Sequence, residues 1–240
     1  MPRRDRTVRI GTRFGCGFAA IAIAFAACSG AAAQMPPSPA EIARYDGLFA
    51  AAHKGDATGI ARLIAGGADV RARDGYGRTP LHVAAYAGRH DALRALGSAG
   101  ADPNAFENDR YDIVTIAAVA NDLPTLKVAL ALGDRPGNIT SRYDGTALIA
   151  AAHLGHADIV RELIRAGAPL DHINNLGWTA LIESIVLGDG GPRHVATLKA
   201  LVDAGANVNL ADRNGSTPLA LAKSRGHTAM VIILENAGAR

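Results

Sequence analysis

Cysteine is nearly absent from this 240-residue chain: it occurs twice, as Cys16 and Cys28, both within the first 33 positions. From residue 34 onward there is no thiol, which excludes disulfides, thiol nucleophiles and cysteine-ligated metals from that part. An excess of one charge is missing as well. The formal net charge of +3 traces to Arg3, Arg4, Arg6, Arg9 and Arg13. With these and Asp5 set aside, 20 basic and 21 acidic residues remain, so nothing supports phosphate-driven binding to nucleic acid. Catalytic motifs are lacking too: there is no His-Glu-x-x-His pair, no phosphate loop and no Gly-x-Ser-x-Gly elbow. The stretch Gly188-Asp189-Gly190-Gly191 has neither the Lys nor the Ser/Thr that a nucleotide loop requires. No catalytic residue, metal ligand or cofactor is therefore assigned, and the chain is expected not to be an enzyme.

What is present is a repeat. A Gly-Ala-Asp-like corner recurs as Gly67-Ala68-Asp69, Gly100-Ala101-Asp102, Gly133-Asp134, Gly167-Ala168-Pro169, Gly205-Ala206-Asn207 and Gly238-Ala239. From glycine to glycine the steps are 33, 33, 34, 38 and 33 residues. A fixed period of this size implies stacked supersecondary units, each burying its apolar face against its neighbours.

The unit is clearest at Asp74-Gly75-Tyr76-Gly77-Arg78-Thr79-Pro80-Leu81-His82-Val83-Ala84-Ala85. Thr79 is placed to cap a helix by accepting a backbone N–H. Pro80 fits the first helical position, where its missing N–H costs nothing. Leu81, Ala84 and Ala85 share one face and permit close helix approach, and Gly88 ends the helix in a left-handed conformation. A second amphipathic run, residues 91–99, leads to Gly100, and a polar turn follows. The same order returns at Gly145-Thr146-Ala147-Leu148, at Gly177-Trp178-Thr179-Ala180-Leu181 and at Gly215-Ser216-Thr217-Pro218-Leu219.

The Thr-Pro-Leu-His, Gly-His and Gly-Ala-Asp elements at this period resemble the ankyrin-repeat family over residues 42–240. The resemblance implies an all-α solenoid of about six helix-turn-helix units joined by hairpin-like fingers, the first and last acting as caps. It also implies packing and hydrogen-bonding roles for His82, His156 and His227, and protein binding along the finger tips and the inner-helix groove. Carried over by position, the candidate partner-binding residues are Arg73, Tyr76, Arg78, Phe106, Tyr111, Tyr143 and Trp178 on the fingers. Tyr86, His153 and Leu154 are the candidates on the inner helices. Aromatics and arginines are over-represented among residues that carry binding energy. Five of the eight aromatics beyond residue 33 fall on or beside the fingers.

Two units depart from the pattern. In the third, Asp112-Ile113-Val114-Thr115 replaces Thr-Pro-Leu-His and Asn121 replaces the helix-ending glycine. Asp112 can still cap, and Asn121 can still adopt a left-handed backbone. The fifth unit carries extra residues around Asp189-Gly190-Gly191-Pro192, expected between its two helices on the edge away from the fingers.

The first 33 residues read differently. A basic opening, an apolar run centred on residues 18–27 and Ala31-Ala32-Ala33 together describe a secretory signal peptide, followed by an extended linker at residues 34–41. The expected address is the bacterial periplasm or beyond, the expected partner a protein. Phe25-Ala26-Ala27-Cys28 also resembles a lipoprotein box, and lipidation of Cys28 would tether the solenoid to a membrane as an envelope scaffold. An inhibitor or immunity-type role, blocking a partner enzyme or toxin, is a further alternative. Mass spectrometry of the N-terminal peptide separates the addresses. Cleavage after Ala33 yields a free or cyclised Gln34 terminus, and a chain beginning with an acylated Cys28 reassigns the protein to a membrane.

Overall fold

The computed structural model describes residues 34–240. The signal-peptide features and Cys28 lie outside the described residues. A short helix, α1 (Pro39–Ile42), is followed by six helix pairs. They are α2 (Gly47–Lys54) with α3 (Ala57–Ala65), α4 (Pro80–Tyr86) with α5 (His90–Ser98), and α6 (Ile113–Val119) with α7 (Leu123–Ala131). The remaining pairs are α8 (Ala147–Leu154) with α9 (Ala157–Arg165), α10 (Ala180–Val186) with α11 (Pro192–Asp203), and α12 (Pro218–Ser224) with α13 (Thr228–Asn236). The first members stack on one another as an inner layer, α2 to α12, and the second members as an outer layer, α3 to α13. No strand forms among the described residues; an isolated bridge joins Thr140 to Gly145. This is the all-α solenoid that the period implies.

The local signals act as their chemistry requires. The side chains of Thr79, Asp112, Thr146, Thr179 and Thr217 each accept from the backbone N–H three residues on, opening the inner helices of units two to six. Asn121 takes φ 55° and Gly88 takes φ 62°, so the degenerate third unit ends its inner helix as the second does. Stacking is set by size. Ala84, Ala117, Ala151, Ser184 and Ala222 occupy one register in successive inner helices and are all fully buried. Ile60, Leu93, Leu126, Val160 and Leu198 fill the facing register of the outer layer. Trimming a leucine of this column to alanine costs about 2–5 kcal/mol, because both adjacent units lose contacts.

His82 joins units two and three. The Thr79 N–H donates to its Nδ1 at 3.1 Å, so its hydrogen resides on Nε2, which donates to the Tyr111 carbonyl at 3.2 Å. Burial lowers its pKa to about 4, and the ring is neutral at physiological pH. His156 likewise reaches back to the Ala118 carbonyl at 2.9 Å. The insertion lies between α10 and α11 as expected, and it is fastened by His194. Nδ1 of that ring meets Asp189 Oδ1 at 2.8 Å and Nε2 meets the His153 carbonyl at 2.9 Å.

Residues 34–41 differ from the extended linker expected of them. Ser38 and Glu41 form a reciprocal capping box at the start of α1: Glu41 N–H donates to Ser38 Oγ and Ser38 N–H to Glu41 Oε2. The other Glu41 oxygen accepts from Arg78 Nη2. Arg78 also donates through Nε to Asp74 Oδ2 at 2.7 Å and through Nη1 to the Met35 carbonyl at 3.3 Å. Tyr45 completes the cluster, its hydroxyl donating to Asp74 Oδ2 at 2.7 Å. The segment folds because it supplies the second carboxylate and a carbonyl to a guanidinium that is only 1% exposed. Burial works against ionisation of Asp74, but the Tyr45 hydroxyl and the Arg78 guanidinium outweigh it and hold the carboxyl below its usual range. The stabilisation is therefore present at neutral pH and is lost as acid protonates Asp74.

Arg78→Met leaves the partly buried Asp74 and Glu41 without their shared cation and is expected to destabilise the chain by about 2 kcal/mol. Urea unfolding at pH 7 measures it, and a midpoint equal to that of the native chain would show the clasp to be idle.

Candidate protein-interaction surface

Each finger is shaped by one oxygen-bearing side chain at a fixed register: Asp74, Glu107, Ser141, Asn174 and Asp212. Its oxygen accepts from the backbone N–H two residues on, from Tyr76, Asp109, Tyr143, Leu176 and Asn214 respectively. In four of the five the same side chain also accepts from the residue four on: Arg78, Tyr111, Trp178 and Ser216. Burial raises the Glu107 carboxyl above its ordinary range, in opposition to these two amides. Neighbouring fingers are stitched by backbone bonds: Asn108 N–H to the Tyr76 carbonyl at 3.0 Å, Ser141 to Arg110 at 3.2 Å, Asn175 to Tyr143 at 2.9 Å. The tips thus form a fixed row rather than independent loops.

The register sorts the sequence candidates. Tyr76 is exposed and Tyr143 half-buried, both at the tip position; Phe106, Tyr111 and Trp178 are half-buried nearer the finger bases. Arg73 is exposed and donates to the carbonyls of Gly77 at 2.6 Å and Phe106 at 2.7 Å, crossing from one finger to the next. Arg78 must be struck from the row: it is buried, its charge is matched by Glu41 and Asp74, and its guanidinium carbon lies 4.5 Å from the Tyr76 ring centroid. It supports Tyr76 from within and offers nothing to a partner. On the inner layer Tyr86 and Leu154 are half-buried, and the His153 side chain is 42% exposed.

Position-by-position transfer missed three exposed aliphatic groups on the fingers. Ile139, Ile173 and Leu176 are large, water-facing side chains on the third and fourth fingers; Leu187 at the end of α10, an inner-helix position that the transfer does mark as exposed, faces water too. Ile173 is 47% and Leu176 41% exposed. Leu176 stands at the same tip position as Tyr76 and Tyr143, and counting the register would have found it; Ile173 and Ile139 carry no aromatic signal. The sequence also gave no warning of Glu183. At its register the other inner helices carry Ala50, Val83, Ile116, Ala150 and Leu221, all apolar. Glu183 is 4% exposed, accepts from Asn174 Nδ2 at 2.9 Å, and lies 3.5 Å from His153 Nδ1. Burial pushes its pKa up to about 7, and burial together with His194 lowers that of His153.

A polar hollow of about 320 Å³ lies at the opposite edge, bordered by Lys54, Gly55, Gly88, Arg89, His90, Asp91 and Arg94. It shares no residue with the finger surface. Among the described residues, no group of three or more His, Cys, Asp and Glu side chains is arranged to hold a metal ion.

A sequence profile described as ankyrin repeats (3 copies) matches residues 23–107 and 114–212. The chain belongs to the ankyrin-repeat family. It is 34% identical over 191 residues to the ankyrin repeat protein YahD of Escherichia coli (strain K12), spanning 79% of this chain and 94% of that protein. A solved ankyrin repeat domain from Acinetobacter baumannii AYE shares 41% identity over 80% of this chain and 98% of its own, with a TM-score of 0.75. The ankyrin repeat domain of Bcl-3, a member of the IκB protein family, superposes with a TM-score of 0.73 at 27% identity, covering 82% of this chain and 88% of that one. Ankyrin repeats are protein–protein interaction modules and are generally non-catalytic. The stitched fingers and the inner-helix face are where this one presents its side chains.

Because its native pKa is raised, Glu183 favours the folded state less as pH climbs from its unfolded value to about 7. Glu183→Gln is therefore expected to gain stability over the native chain between pH 5 and pH 8 in paired urea titrations. A constant difference across that range would contradict the burial argument.

Proposed function

We propose that this chain is an exported, non-catalytic binding protein that holds a protein partner in the periplasm, and that the partner docks over the third and fourth fingers. The observation that carries the docking site is the concentration of exposed apolar side chains there: Ile139, Ile173 and Leu176, beside Tyr143 and Trp178. Interface centres are apolar and aromatic with a polar rim, and Arg142, whose guanidinium carbon is 5.2 Å from the Tyr143 ring centroid, supplies such a rim. Leu154, His153 and Leu187 extend the surface onto the inner helices. The first finger contributes less, since Arg78 is withdrawn into the N-terminal clasp. Export rests on the basic opening, the apolar run and Ala31-Ala32-Ala33 of the leader. Cys28 keeps the lipid-anchored address as the second reading.

Photo-crosslinking in living cells tests the docking site. A photoreactive amino acid placed at Leu176 or Tyr143 is expected to trap one dominant protein, and the same group at Lys127 on the outer layer to trap none. The combined change Ile173→Asp and Leu176→Asp should weaken that partner by at least about tenfold, the loss of roughly one hot-spot contact. Equal trapping from all three positions, or undiminished binding by the folded double variant, rules the site out.

A further inference from the structure

The third unit departs from its neighbours twice more than its architecture needs, and the fold brings both departures together. Asp112 stands where threonine caps the inner helices of units two, four, five and six, and Asp134 follows Gly133 in the corner slot that holds Ala101, Ala168 and Ala206 elsewhere, all buried. Asp112 is 1% and Asp134 3% exposed. Both reach one nitrogen: Asn138 Nδ2 lies 3.0 Å from Asp112 Oδ2 and 3.1 Å from Asp134 Oδ1. Asn104 Oδ1 is also 3.0 Å from that nitrogen and accepts the Arg135 N–H at 3.0 Å. The remaining carboxyl oxygens are met by the N–H of Thr115 on Asp112 Oδ1 at 2.8 Å and of Val114 on Asp134 Oδ2 at 3.0 Å.

Every one of these donors is neutral. Among the described residues no ion pair includes Asp112 or Asp134, and a third acid, Asp102, adds to the repulsion on Asp134. Arg135 turns its side chain to water and offers only its backbone N–H. Two carboxylates held by the same amide, out of water and without a cation, repel each other in a medium that screens poorly.

We propose that Asp112 and Asp134 hold one proton between them at neutral pH, and that its loss loosens the junction between the third and fourth units. The proton belongs to Asp134. Asp112 caps α6, where its charge meets the positive end of the helix. Asp134 meets the same helix end through the Val114 N–H, yet burial, with Asp112 beside it, pushes its pKa up to about 9. The native state therefore keeps a proton that the unfolded chain releases in the ordinary carboxylate range. The resulting stability is complete in mild acid and declines as pH rises toward about 9. Glu183 is raised only to about 7, so between pH 8 and pH 9 it is ionised in both states and adds no slope.

The test uses the purified native protein with two readouts. In carbon-13 spectra, Asp134 Cγ is expected to show the carboxylic-acid shift at pH 7. In urea titrations, the native midpoint should fall from pH 8 to pH 9, whereas the Asp134→Asn midpoint should hold and exceed the native one at pH 9. Asp134→Ala, which restores the residue of the other corners, guards against a packing defect of the Asn variant. An ionised Asp134 at pH 7, or Asn and Ala variants that are both less stable than the native chain at pH 9, overturns the proposal.

Discussion

Everything in this molecule depends on how closely successive inner helices can approach. The column Ala84, Ala117, Ala151, Ser184 and Ala222 keeps that spacing tight, and no unit has a core of its own. Burial is therefore a nearest-neighbour quantity: a side chain in one unit stabilises the chain only through the unit before or after it. Small residues are required at the contact, and large ones, such as Leu81 and Leu148 on inner helices and Leu93 and Leu126 on outer ones, fill the core beside it.

The two ends of the stack carry polar contacts. Among the described residues no helix pair precedes the first unit, and residues 35–45 are drawn onto Arg78 by a capping box, a carboxylate and a carbonyl. At the other end Lys223 replaces the alanine of the inner helix, remains exposed and pairs with Glu235 on α13 at 2.7 Å. One end carries a folded polar clasp, and the other ends in an exposed ion pair.

Repetition also turns a set of loops into a surface. Because each finger folds around one side-chain oxygen and the first four are joined through their backbones, side chains separated by a full period become neighbours. Tyr143 and Leu176 are one period apart in sequence and occupy adjacent tips. Departures from the repeat act on the interior in the same way. An acid at one corner and an acid at one cap, Asp134 and Asp112, share a partner because the stacking sets consecutive units against each other. Glu183 finds Asn174 and His153 for the same reason.

The sequence by itself determined the architecture: the period, the capping threonines, the small residues of the inner layer and even the substitutes Asp112 and Asn121 were legible, because each acts through its own backbone within a few residues. Ser38-x-x-Glu41 was equally legible as a capping box, but its proline-rich setting resembled a linker, and only the distant Arg78 makes it fold. The surface was legible in outline. Tertiary structure alone decided that Arg78 faces inward, that Ile139, Ile173 and Leu176 face water, and that three buried acids sit without a full countercharge. These outcomes depend on what the adjacent unit places opposite each side chain, and period and local composition do not encode that.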